Sequence, residues 1–548
     1  MAGHSEAAAQ APWLTTAQKK KDLQTAAIAP YRSTGLHSKH APQSNAELIL
    51  GINEVSDLAS FIRTRQLKAY DVVLAYIQKT EILFDDALER AEQLDKILSS
   101  TGKPVGPLHG VPMTVKDQFN IKGYDSTLGY VGRSFNPATE DADIVKILKD
   151  AGAVFIAKTN LPQSIMWCET ENFIFGRTDH PLDSAYTPGG STGGESALLA
   201  LRGSMCGFGT DLGGSVRIPS HMTGVYGFKP SVRHIRFNYY KDALTGPKSE
   251  RLPYEGTPVS TEGQEHVPSS VGPLARSLAS IHLVTKLIIE AAPWRNDPRV
   301  QRLPWNEDVY QSIQSRPLTV GLLIDDGVVK VHPSVERVVL DIAAKLERAG
   351  HTIVPWTTDG HAECIEVMDK YFTADGGEDL RRDIAKSGEP LLPRVQGLVS
   401  TQAISVYGYW ALHRRKRAAQ RAYLKKWQAI RNPTTGDEVD IILSPVMSHP
   451  AVKHRTCNWV GYTKVWNLLD YTALSLPAGR VDAAIDPSLS DPTVASYVPR
   501  NDMDKWNWGL YDPESSNHMP INIQLIGRRL EEEKVLGAAR VVESVLDR

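Results

Sequence analysis

Between residues 46 and 67, apolar side chains recur near helical spacing at Leu48, Ile49, Ile52, Val55, Leu58 and Ile62. That stretch predicts amphipathic helix, and 70–78 and 86–98 follow the same rule. Short apolar runs then take over, several rich in β-branched residues, at 111–115, 153–157, 318–324, 441–445 and 521–526. Most border a helical segment such as 141–150, 334–348 or 530–546, and glycine closes the first two of these. Alternation of this kind over hundreds of residues predicts α/β layers around a largely buried sheet. Residues 1–45 are polar, with helix formers and breakers interleaved, and predict a helix plus an extended arm draped over the main body. The stretch 239–264, full of Lys, Pro, Gly and Glu, predicts a surface insertion.

Charge and composition narrow the partners. The 548 residues carry 61 basic and 63 acidic side chains, a formal net charge of -2, so neither nucleic acid nor an anionic membrane is expected as main partner. Four cysteines without a CxxC pair suggest no disulfide framework and no structural metal. His361 and His454 each precede a cysteine by three residues, but two isolated HxxC pairs make a poor zinc site. Lys19 to Lys21 have no apolar run beside them, and no stretch approaches the roughly 18 apolar residues of a membrane span. A soluble, cytoplasmic protein is expected.

Three segments could carry chemistry. In "GPLHGVPMTVKDQFN", Lys116 ends an apolar run, where burial would disfavour its ammonium form and leave a base. In "TPGGSTGGESA", Ser191 stands among four glycines ahead of a helix over 195–201. In "GFGTDLGGSVRIPS", two glycines precede Ser215, and consecutive glycines let backbone N–H groups converge on one point, as in an oxyanion hole. Each signal has a plain structural reading as a turn, a strand end or a helix cap. Their order along the chain is what makes them informative.

In that order the segments resemble the amidase signature family, serine hydrolases with a Ser, a second Ser on a cis peptide and a Lys. The likeness extends to "AGAVFIAKTNLPQ", "VGPLARS", "NLLDYTALSLPAG" and "PINIQLIGRRLEEEKVLGAAR", similar to the fungal acetamidase-type branch, and covers roughly 46–548. It implies one large α/β domain over 46–548, with a mixed central β-sheet covered by helices on both faces, behind an arm at 1–45. It implies hydrolysis of a carboxylic amide to acid plus ammonia or amine, with no cofactor and no metal, and a homodimer would be ordinary. Residue by residue, Ser215 corresponds to the nucleophile, Ser191 to the proton relay and Lys116 to the base. The N–H groups of Leu212, Gly213, Gly214 and Ser215 correspond to the oxyanion hole, and Ile165, Ser191 and residues 212–215 to the substrate site. Asp211 and Arg217 are expected to pair and support the loop. Met166, Trp167 and the distant stretch 459–469 are expected to set pocket size. Between Tyr76 and Asp86 the chain looks shorter than its fungal relatives.

Other readings fit less well. "GGSTG" matches the nucleophile elbow of α/β-hydrolases, but no strand precedes it. A phosphate cradle would want Gly-Lys-Ser/Thr where Glu195 stands. Ser100 and Lys103 imitate a β-lactamase motif in what reads as a polar turn. His109, His221 and Cys168 read as core residues. A non-catalytic protein that retains the fold would have no use for a buried lysine, and an ammonia-feeding amidotransferase subunit would want a docking segment.

Overall fold

Ten strands build the main sheet, and their order explains how three distant motifs meet. A computed structural model describes residues 11–33, 43–77, 84–233, 249–399 and 402–546. The strands are β1 (Pro112–Lys116), β2 (Val154–Thr159), β3 (Cys206–Asp211), β4 (Tyr226–Lys229), β5 (Ser270–Ala275), β6 (Thr319–Leu322), β7 (Thr352–Pro355), β8 (Ile441–Pro445), β9 (Ala473–Arg480) and β10 (Pro520–Ile526). They lie in the order β7-β6-β8-β10-β9-β4-β5-β3-β1-β2. Parallel pairs hold both flanks, β1 with β2 and β3 and β6 with β7 and β8, while the centre is antiparallel. This is the mixed, helix-covered sheet that the resemblance implied.

Five of the strands follow the apolar runs within a residue or two. Four of them have a parallel neighbour and β10 only antiparallel ones, but all five are largely buried, and a strand buried on both faces reads as a near-continuous apolar stretch. The central strands are less legible. β5 reads Ser-Val-Gly-Pro-Leu-Ala, and Gly and Pro argue against a strand in sequence. It forms nonetheless, paired with β3 from Cys206↔Ala275 to Asp211↔Ser270, and a Cβ on Gly272 would stand 2.1 Å from the Phe228 carbonyl oxygen.

The predicted helix over 46–67 is two helices, Gln43–Gly51 and Val55–Arg63, broken between them by Gly51 and Asn53. Val55, Leu58 and Ile62 of the second are fully buried. In the N-terminal region, Pro12–Ser33 is helical, with Trp13 and Ala17 packed against Val131 and Ile174. The extended part of the arm and the apparent shortening at 78–83 lie outside the described residues. Ser100 sits on the last turn of the helix Phe84–Thr101 rather than in a turn, its hydroxyl donating back to Lys96 O at 2.8 Å. Among the described residues no helix is long and apolar enough to cross a membrane.

The stretch read as a surface insertion also differs. Its residues 239–248 lie outside the described set, but Glu250 to Tyr254 are buried, and Glu250, Tyr254 and Val259 line the cavity described below. Its polar backbone is satisfied from far along the chain: Asp297 accepts the Tyr254 and Glu255 N–H groups at 2.9 and 3.1 Å. Sequence composition alone does not show such partners.

Candidate active site

Lys116 is the last residue of β1, flanked by β2 and β3, and is fully buried. Burial lowers its pKa to about 7, although the charges of Asp211 and Asp117 pull the other way. Its Nζ lies 2.7 Å from Ser191 Oγ and 3.2 Å from Thr210 Oγ1. The lysine is therefore available in its neutral form near neutral pH, with a serine hydroxyl in reach.

Ser191 stands just before the helix Gly193–Ala200, and the Gly190-Ser191 peptide is cis. Gly190 permits the close approach: a Cβ there would lie 2.7 Å from both the N and the O of Glu169. The neighbouring Thr192 N–H donates to the Ser215 carbonyl at 3.2 Å, which ties the second motif to the third.

Ser215 follows β3 in a tight loop built around Asp211. The Asp211 carboxylate accepts from the N–H of Gly214 at 2.8 Å and of Val216 at 3.2 Å, and pairs with Arg217. Arg217 in turn donates to Thr463 O and to Asn467 Oδ1, so the expected pairing is present and is anchored on the helix Gly461–Leu469. Residues 459–469 therefore support the loop from behind: Thr463 Oγ1 donates to Gly213 O at 2.6 Å. Gly214 has φ +130°, and a Cβ on it would stand 2.3 Å from Thr463 Oγ1. Gly214→Ala is expected to abolish turnover and to cost roughly 2–3 kcal/mol, read as a lower urea midpoint.

Ser191, Thr210, Leu212 and Ser215 share a cavity of about 240 Å³ with Ile165, Met166, Tyr254 and Val259. Gly213 and Gly214 are not part of its lining. Trp167 faces a neighbouring cavity with Arg394, whose guanidinium lies 5.3 Å from its ring. Ser164 and Ile165 both have positive φ, 68° and 57°, in the loop that forms this wall.

The residue range 66–536 matches the Amidase family profile. The chain belongs to the amidase family. It is 48% identical to Amidase 1 of Gibberella moniliformis over 95% of this chain and 98% of that protein. Against the acetamidase of Aspergillus oryzae the identity is 36%, over 93% of each. A solved fatty acid amide hydrolase superposes with a TM-score of 0.87 at 27% identity, covering 98% of this chain and 95% of the other. The protein is an amide-hydrolysing enzyme.

In this amidase the decoy residues lie in the core. His221 sits between the carbonyls of Asn522 and His449, and His109 Nδ1 accepts from Val105 N–H. Cys168 is buried with its Sγ 2.8 Å from Cys457 Sγ. Glu195 turns away from the cavity and accepts from the hydroxyls of Thr114 and Thr159. Sequence reasoning missed three residues: Thr210, Gln118 and Tyr254. The first two were accessible, since Gln118 follows Lys116 by two residues and Thr210 stands beside Asp211. Tyr254 was not, because nothing local ties it to β1.

Proposed function

We propose that this amidase cleaves carboxylic amides through a serine acyl-enzyme, with Ser215 as nucleophile, Ser191 as relay and Lys116 as base. What carries the reading is a fully buried lysine with its pKa lowered to about 7, 2.7 Å from the Oγ of Ser191, which lines the same cavity as Ser215. Neutral Lys116 takes the Ser191 proton while Ser191 takes that of Ser215, whose Oγ attacks the amide carbonyl. The proton returns along the same path to the leaving nitrogen, and water then releases the acid by the reverse route.

Developing charge on the carbonyl oxygen needs donors aimed at it. Gly214 N–H is already given to Asp211, so the oxyanion falls to the N–H groups of Leu212, Gly213 and Ser215, with Gly214 holding the turn. Ile165, Met166, Leu212 and Val259 form an apolar part of the wall that suits an apolar acyl group, beside the polar Glu250, Gln264 and Arg299. A cavity of about 240 Å³ leaves room for an acyl group larger than acetyl, which supports an aryl-acetamide-sized substrate.

The test is ammonia release from acetamide, phenylacetamide and indole-3-acetamide, with Ser215→Ala as blank. Turnover of the aromatic amides above acetamide, and none in the variant, is expected; equal activity in the variant would remove Ser215 from the mechanism. The acid limb of kcat/KM is expected near pH 7, with activity falling below it as Lys116 gains its proton. A limb near pH 4 to 5 would point to a carboxylate instead.

A further inference from the structure

Gln118 is fully buried beside the site, and its amide has only one workable orientation. Its Nε2 donates to the Pro258 carbonyl at 2.9 Å and to Tyr254 OH at 3.0 Å. A carbonyl oxygen can only accept, so the amide nitrogen must face Pro258 and the amide oxygen must face the other way. There Oε1 accepts the Thr210 hydroxyl proton at 2.7 Å. Thr210 has one proton, and it is spent on Gln118. Toward Lys116, 3.2 Å away, the threonine oxygen can only accept.

We infer that Gln118 is a positioning residue that sets the direction of the proton relay. One Lys116 N–H is held by Thr210, which aims the nitrogen lone pair at the Ser191 hydroxyl. The direction is imposed from Pro258 through Gln118 and Thr210 to the base. Tyr254, which lines the cavity, is held by the same amide, so the substrate wall and the base share one anchor. The inference rests on the reading of Lys116 as base given above.

Other groups around Lys116 are accounted for. Asp117 and Asp211 both raise its pKa against burial. Lys158 of β2 donates to Ser126 Oγ at 2.9 Å, and Glu195 is held by Thr114 and Thr159. Each has its own partners, which leaves Thr210 as the neutral group whose direction can change.

The experiment compares pH profiles of kcat and kcat/KM in wild type, Gln118→Leu, Gln118→Glu and Thr210→Val. With leucine at 118, Thr210 is free to donate to the lysine lone pair, which stabilises the neutral amine and competes with Ser191. The acid limb is expected to move down by roughly half a pH unit, with kcat falling about tenfold and KM changing less. Thr210→Val breaks the chain one link nearer the base and should also move the limb down, which keeps the test open if Gln118→Leu does not fold. Gln118→Glu still offers Thr210 an acceptor, whether ionised or protonated, so its limb should stay at or above that of wild type. Unmoved limbs in both Gln118→Leu and Thr210→Val, or a downward shift in Gln118→Glu, would overturn the inference. If wild type and Ser215→Ala alike release no ammonia across the panel, the reading of the site fails and this inference falls with it; normal wild-type turnover with unmoved limbs sinks the inference alone.

Discussion

Lys116→Met is expected to give a folded protein that is more stable than wild type and nearly inactive. Methionine is close to lysine in volume and brings no charge into a site with no solvent exposure. Loss of the proposed general base should lower kcat/KM by about a thousandfold or more. The stability gain follows from linkage. In the folded protein the lysine pKa is lowered to about 7, while in the unfolded chain it returns to about 10.4. Between those values the unfolded state binds more protons, so wild-type stability rises with pH across that window. Below pH 7 the burial penalty is fully present, and removing it should be worth on the order of 2–4 kcal/mol after allowing for the partners left behind. Urea midpoints should therefore favour the variant most at pH 6 and converge with wild type toward pH 10. A variant less stable than wild type at pH 6 would mean that the lysine contributes more through its contacts than its desolvation costs.

Arg217→Met is expected to act in the opposite direction, on the fold rather than the chemistry. Burial pushes the Asp211 carboxyl up, but the charge and hydrogen bonds of Arg217 outweigh it and hold the group well below the usual carboxylate range. Both side chains are wholly inaccessible, with Nη2 to Oδ1 at 2.9 Å and Nε to Oδ2 at 3.0 Å. Removing the guanidinium leaves a buried carboxylate without its main counter-charge, which costs about 3–5 kcal/mol. The same carboxylate fixes the N–H groups of Gly214 and Val216, so the loop that carries Ser215 should loosen and turnover fall with stability. Asp211→Asn combined with Arg217→Met should recover part of the urea midpoint, because no charge is then stranded. If the double variant is no better than the single one, the loss comes from the contacts of Arg217 with Thr463 and Asn467 instead.

The motif residues were legible because each sits where local chemistry leaves a mark. Lys116 closes an apolar run, and Ser191 and Ser215 are framed by glycines whose absent side chains permit close approach. Parallel strands such as Ile441–Pro445 show as apolar stretches for the same local reason. β4, β5 and β9 do not, since their regularity comes from neighbours on both sides that are distant in sequence. The stretch 239–264 reads as surface in sequence because its Lys, Pro, Gly and Glu look solvent-facing until Asp297 and Arg299 supply partners for the backbone of its described part.

By itself the sequence determined the α/β layering, through local periodicity, and the resemblance of its three motifs to the amidase signature family, which singles out Lys116, Ser191 and Ser215 as candidates. Only the tertiary structure decided that β1 and β3 lie side by side, that Asp211 takes the Gly214 N–H, and that Gln118 points the lysine through Thr210. Those are matters of direction and register between segments far apart in the chain. Hydrogen-bond direction depends on which partner has a proton to give, and that partner is chosen by the fold.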